Sequence, residues 1–186
     1  ESGEDACGAV GFSGDDGRTS IFDYAVMPKH QKWMSDGKFD GSGFSVEQKR
    51  LYDFYSKLLN FRLTNDAINK GAFCDLMWVN PWYSNFDPQY VYAFLRYHEE
   101  ERLLVVINFN QDESRYCEVK IAEDALDYMN MKLSTDNRQQ TTDDSSQQKI
   151  AMDILTGEKI EYDLEEVSTR GIALNLEPCG IKILKL

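Results

Sequence analysis

Residues 90–109 read YVYAFLRYHEEERLLVVINF, two dense strand signals around a polar tip. In Tyr90–Tyr97 and Leu103–Phe109 aromatic and β-branched side chains crowd together, a composition that suits the pleated, packed surface of a central strand. The polar run from His98 to Arg102 separates them, and that spacing predicts an antiparallel hairpin. Downstream the period of two recurs. Cys117, Val119 and Ile121 face one way while Tyr116, Glu118 and Lys120 face the other. Ile160, Tyr162 and Leu164 alternate with Lys159, Glu161 and Asp163, and Ile150, Met152 and Ile154 repeat the device, as do Ile172, Leu174 and Leu176. Pro178 and Gly180 supply a turn before a closing strand at 181–186. Short alternating strands between turn signals predict a mainly β chain with an antiparallel β-sandwich.

Upstream of the hairpin the period is helical. Ser45 is a good N-cap, and Gln48 three residues on completes a capping box. Leu51, Phe54, Tyr55, Leu58 and Leu59 form one apolar stripe, which predicts a helix from about Val46 to Leu63. Asp53 and Lys57 stand at supportive i,i+4 spacing. A further turn of helix is expected over Asp66–Asn69, stopped by Gly71. Residues 1–43, rich in Gly, Asp and Ser, read as a long loop, which is uncommon within a compact domain and points to a larger body. The division expected is therefore 1–71, loop and one or two helices, and 72–186, the sandwich. Residues 134–148 contain no apolar side chain and read as a solvated insertion.

The 186 residues carry a formal charge of −12, which opposes binding to nucleic acid or to an anionic membrane surface. No apolar run is long enough to span a bilayer. The chain begins at Glu1 rather than Met, which points to processing or trimming. Cys7, Cys74, Cys117 and Cys179 lack metal-ligand or redox spacing, so no metal or cofactor is implied. Cys117 and Cys179 read as small buried hydrophobes. Asp36, Asp40, Gly41 and Glu47 fit part of a calcium loop, but Lys38 puts a cation at the third ligand position. A turn followed by a helix N-terminus accounts for the same residues better.

Three phrases in this order resemble the α-amylase family, glycoside hydrolase family 13. Gly14-Asp15-Asp16-Gly17-Arg18-Thr19-Ser20-Ile21-Phe22-Asp23-Tyr24 is similar to the loop after the eighth barrel strand in a bacterial branch. Phe54-Tyr55-Ser56-Lys57-Leu58-Leu59-Asn60-Phe61-Arg62 resembles the final barrel helix. Tyr92-Ala93-Phe94-Leu95-Arg96 with Leu104-Val105-Val106-Ile107-Asn108-Phe109 resembles the opening hairpin of the C-terminal β-domain, and Leu174–Leu184 is similar to the family's close. The resemblance implies the end of a (β/α)8 barrel followed by the C-terminal sandwich of a bacterial enzyme, cytoplasmic or exported.

It also implies which residues are elsewhere. Retaining glycosidases cleave with two carboxyl groups about 5 Å apart. The family's Asp nucleophile, Glu acid/base and further Asp stand on barrel strands that precede this segment, and no position here inherits those roles. The catalytic set is therefore empty. The function expected is a non-catalytic accessory domain of an α-glucan-acting hydrolase, whose partner is the barrel of the same polypeptide.

The alternative is an independent carbohydrate-binding module. Its candidate residues are Trp78, Trp82 and Tyr83, flat rings that could stack on sugar while the amides of Asn80 and Asn85 bond hydroxyls. Against it stands the ordinary tendency of Trp78, Trp82, Tyr83 and Phe86 to pack a core or an interface. Arg18, Asp23, Tyr24 and Trp33 fall on the loop that resembles the one over the barrel's catalytic face, where a distal subsite is conceivable; none of them is assigned a catalytic part.

Overall fold

The computed structural model describes residues 28–82, 85–131 and 148–186. The chain divides into two units, Glu1–Lys57 and Leu58–Leu186. The first unit holds a short helix α1 (Pro28–Met34), a turn of 3-10 helix over Ser35–Gly37 and the start of helix α2 (Val46–Thr64). The segment read as loop thus contains a helix, too short for its periodicity to register. The turns around it are those its composition demands: Gly37 and Gly41 both take positive φ.

The capping box at α2 forms as its residue types require. Gln48 N–H donates to Ser45 Oγ at 3.2 Å, and Ser45 N–H donates to Gln48 Oε1 at 3.0 Å. Asp53 pairs with Lys49, one turn earlier. Helix α3 (Asp66–Asn69) follows, with Asn65 Oδ1 accepting from Ile68 N–H as its N-cap.

The second unit is built on eight strands: β1 (Ala72–Asp75), β2 (Val91–His98), β3 (Glu101–Asn108), β4 (Arg115–Val119), β5 (Gln148–Asp153), β6 (Lys159–Asp163), β7 (Ile172–Leu176) and β8 (Ile181–Lys185). Six form one sheet in the order β1-β2-β3-β8-β5-β6, and β4 pairs with β7 in a second. Every pairing is antiparallel. The polar tip makes the expected hairpin, in register from Val91 opposite Asn108 to His98 opposite Glu101. Helix α4 (Glu123–Tyr128), which sequence patterning misses, buries Ala125 and Leu126 after β4.

The sandwich core lies between the two sheets. Val91, Ala93, Leu95, Leu104, Val106 and Leu184 of the large sheet meet Cys117, Val119, Ile172, Leu174 and Leu176 of the small one. Each Val, Leu or Ile among them contributes about 1.5–3 kcal/mol by leaving water. On β3 the alternation vanishes: Leu103, Leu104, Val105 and Val106 are all buried. Even-numbered residues face the sandwich core, while Leu103 and Val105 join Ala67 and Ile183 in a second cluster on the opposite face. A strand covered on both faces has no polar side to alternate with.

Two sequence expectations are corrected here. Cys179 is exposed, not buried, because it occupies the third position of the Glu177–Gly180 turn with φ of 51°, where Gly180 N–H returns to Glu177 O at 2.8 Å. On β5 the inward residues are Ala151 and Asp153, while Ile150 and Met152 point outward and are exposed. Asp153 stays inside because its carboxylate accepts from Leu155 N–H, Ile183 N–H and Thr156 Oγ.

Cys117 carries a pH signature. Burial, helped by nearby Glu118, pushes its thiol up to about 12. The unfolded chain releases that proton near the ordinary cysteine value of about 8.5. The folded state's advantage is therefore whole below that value and is lost as pH rises toward the folded pKa. Urea titrations between about pH 9 and 11 should show stability falling, with Cys117→Ala removing about 1.4 kcal/mol per pH unit of that slope. An unchanged slope in Cys117→Ala would refute this.

Candidate functional site

Three features compete for a functional role: the outer face of the large sheet, the apolar stripe of helix α2, and the aromatic segment 78–86. The outer face is apolar across several strands. Strand alternation places Phe73, Tyr92, Phe94, Ile107, Ile181, Ile150 and Met152 on it together, away from the sandwich core. Phe73 and Tyr92 both stack on Phe94, with ring centroids 5.4 and 5.7 Å apart. Leu58, Phe61 and Ile68 cover the middle of this face from the helical side. Beyond that cover Phe73 is 51 % exposed and Ile150 57 %.

Helix α2 carries an apolar stripe of its own. Its stripe is present in the sequence, yet none of its 19 residues is buried. Leu51, Tyr55, Leu59 and Leu63 stand in solvent. Helices in proteins gain most of their stability by packing an apolar face, so a stripe left in water is a surface without its partner among the described residues.

Helix α3 is held to the sheet at both ends by opposite charges. Glu101 Oε2 accepts from Asp66 N–H at 2.8 Å and Ala67 N–H at 3.2 Å. Arg96 donates through Nη2 to Ile68 O at 2.6 Å and through Nε to Ala67 O at 3.2 Å. A carboxylate at free N–H groups and a guanidinium at free carbonyls match the partial charges of the two helix ends. The hairpin β2–β3 thereby sets the position of the helix that precedes the sheet. Charged residues read only as hairpin tip and strand turn out to be a clamp.

The aromatic segment resolves differently. Phe86 is buried in the sandwich core, and Trp78 is 55 % exposed. The backbone of Trp82 closes a 3-10 turn over Asn80–Trp82, while its side chain and all of Tyr83 lie outside the described residues. The amides expected to meet sugar hydroxyls are already engaged. Asn80 is fully buried and bonds the backbone of Leu76 and Lys120. Asn85 donates to Glu118 at 2.9 Å, and Tyr116 donates to the same carboxylate at 2.8 Å. Those two bonds hold Glu118 below the usual carboxylate range, Asn85 contributing more. The structure therefore leaves Trp78 as the exposed ring of this segment among the described residues.

Asp40 and Glu47, the calcium-loop candidates, receive hydrogen bonds from Ser42 N–H and Ser45 Oγ, as a turn and a helix start require. Among the described residues no group of three His, Cys, Asp or Glu side chains could hold a metal ion, and no helix is long and apolar enough to cross a membrane.

Residues 82–174 match the family model for the alpha amylase C-terminal all-beta domain. Among solved structures, the chain is similar to AmyP in complex with maltose at 15 % identity and a TM-score of 0.52, covering 80 % of this chain and 23 % of that one. AmyP in a variant complexed with maltotriose gives 15 % identity, a TM-score of 0.50 and the same coverage, 80 % and 23 %. The α-amylase of Geobacillus thermoleovorans with acarbose gives 13 %, 0.47, 78 % and 26 %. This chain thus spans about a quarter of the length of the structures it matches. No curated protein sequence matches it.

Proposed function

Because this chain belongs to the family of α-amylase C-terminal all-β domains, we propose that it is the non-catalytic accessory domain of an α-amylase-type glycoside hydrolase acting on α-glucans. In this reading residues 1–71 are the end of the catalytic barrel and 72–186 the C-terminal sandwich. The carrying observation is helix α2, which presents Leu51, Tyr55, Leu59 and Leu63 to solvent and has no fully buried residue. The outer sheet face adds Phe73 and Ile150 to the exposed apolar surface. Exposed apolar side chains of this kind mark an interaction site. A preceding barrel in the same polypeptide is the occupant that the family supplies. The domain's work is then to cover and stabilise that barrel.

The test is to produce this chain separately from the portion of the parent polypeptide that precedes it and to mix the two. A stable complex on size exclusion and a raised melting temperature of the catalytic portion are expected. Leu59→Lys, at an exposed position, should weaken association by about tenfold or more while leaving this chain's own melting within about 0.5 kcal/mol; Phe73→Lys should weaken it likewise, at a further cost of about 0.5–1.5 kcal/mol for its lost contact with Phe94. Failure to associate, or hydrolysis of amylose by this chain alone at enzyme-like rates, would refute the reading.

The alternative module reading has the exposure of Trp78 in its favour. It requires saccharide binding that Trp78→Ala abolishes.

A further inference from the structure

Strand β7 leaves one edge of the small sheet open. Along a strand the backbone groups point alternately to one side and the other, and β4 shows which residues point where. Glu118 N–H of β4 donates to Asn85 O at 2.9 Å, which turns it away from β7. Glu118 and Ala173, opposite it in the register, are therefore a non-hydrogen-bonded pair, as are Tyr116 and Asn175 two residues along. The N–H and C=O groups of Ala173 and Asn175 thus point outward from β7, and no backbone group meets them among the described residues. Edge strand β6 of the large sheet carries Lys159, Glu161 and Asp163, charges that discourage a further strand. Strand β7 reads Ile172-Ala173-Leu174-Asn175-Leu176, with neither charge nor proline to guard it.

Two open clefts lie along β7, one beside each end. Gly171 and Ala173 line the first, about 330 Å³, and Asn175 and Leu176 the second, about 340 Å³. The first sets Glu161, Asp163 and Glu166 against Arg170, and the second sets Asp153, Glu158 and Glu177 against Lys182. Both cations are already paired, Arg170 with Glu166 and Lys182 with Glu158. Asp153 is engaged inside the fold, so Glu161, Asp163 and Glu177 give the clefts an unbalanced negative charge among the described residues.

We propose that the open edge of β7 docks a basic extended peptide, which adds a third strand to the small sheet by bonding the backbone of Ala173 and Asn175. Main-chain bonds of this kind supply affinity to any extended segment, and the flanking side chains choose among segments. Here the choice falls on cations, which Glu161, Asp163 and Glu177 attract. A second copy of this chain suits the edge poorly, because each copy carries −12. The edge belongs to the small sheet, across the sandwich core from the outer face assigned to the barrel, and the proposal stands apart from that docking.

The intact 186-residue chain is titrated with an acetylated hexapeptide of alternating lysine and valine, following amide NMR shifts and hydrogen exchange. In the free chain the amide of Leu174 should exchange slowly and those of Ala173 and Asn175 quickly. Saturating peptide should slow the latter two by about tenfold or more. Raising salt from about 50 to 500 mM should weaken binding about tenfold. Ala173→Pro removes an outward N–H and leaves the β4–β7 bonds in place, since proline is tolerated where a strand's N–H faces solvent. It should weaken binding about tenfold. If that variant folds poorly, the ligand decides instead: of the two alternately N-methylated hexapeptides, the one blocked along the paired edge should fail to bind. Glu161→Lys combined with Glu177→Lys should weaken binding about tenfold and flatten its salt dependence. The proposal is overturned if the hexapeptide gives no saturable response, or if a glutamate–valine hexapeptide binds as tightly. It is also overturned if both N-methylated forms bind like the parent, or if the amides of Ala173 and Asn175 become slow on self-association without peptide. None of these outcomes depends on association with a catalytic portion.

Discussion

Asn80→Ala is expected to cost the second unit about 3 kcal/mol and to lower its melting temperature by about 10 °C. The side chain is completely buried and makes three bonds to backbone. Its Nδ2 donates to Leu76 O and Lys120 O, each at 3.0 Å, and its Oδ1 accepts from Lys120 N–H at 2.8 Å. The amide thus completes both the donor and the acceptor of the residue just past β4, as a neighbouring strand would. Alanine removes both bonds to the Lys120 backbone, while Leu76 O still accepts from the N–H groups of Val79 and Asn80, and each lost buried bond costs about 1–3 kcal/mol. Asn80→Asp separates bonding from volume: it keeps the acceptor, loses both donors and places a charge where no water reaches, so it should be at least as damaging. Thermal and urea melts of the three proteins check this. A loss below about 1 kcal/mol in Asn80→Ala would show that water or relaxation replaces the amide.

Gly71→Ala should be comparably severe, about 3 kcal/mol, for a reason of space rather than conformation. A Cβ at this position would stand 2.2 Å from Ala67 O and 2.6 Å from Tyr97 O. Both are backbone atoms on opposite sides of the junction between α3 and β1, so neither can turn aside as a flexible side chain would. Ala67 O is also the carbonyl that accepts from Arg96 Nε. Displacing it therefore loosens the clamp on α3 as well as the junction. Gly157→Ala is the control: Gly157 has φ of 80° with nothing within 4 Å of its would-be Cβ, so only the conformational cost of about 1 kcal/mol applies. Beyond the melting shift, Gly71→Ala should speed hydrogen exchange at the amides of 66–70, whereas Gly157→Ala should not. Equal losses in the two variants would refute the spatial argument. Because α3 ties the sheet to the helix that precedes it, Gly71→Ala should also weaken association in the two-chain mixing experiment.

Most of the β architecture was legible. The runs 90–97 and 103–109, the alternations at 115–121, 159–164 and 172–176, and the polar tip at 98–102 each report a local periodicity. The capping box of Ser45 and Gln48 was legible for the same reason, since its two hydrogen bonds close within four residues. The candidate site was legible only in part. Of the aromatic line, Phe86 went to the core and Trp78 to the surface, and a ring's side of a loop carries no periodic mark. Asn80 read as an amide for sugar hydroxyls, because nothing in its neighbourhood announces that Lys120 will arrive beside it.

Ile150 and Met152 show where the boundary falls. Their alternation correctly announces a strand, and it correctly announces one apolar face. Which of two apolar faces becomes the sandwich core is settled by strand order: β5 lies between β8 and β6, and its pairing turns Ala151 and Asp153 toward the small sheet. Local order in this chain follows from interactions spanning four residues or fewer, and those are written into residue type and spacing. The clamp on α3, the Asn80 bridge and the choice of face join residues that are 28 to 40 apart in the chain or lie on different strands. Such pairings depend on the closure of the whole sheet, whose energy is shared among many side chains rather than signalled by any one of them.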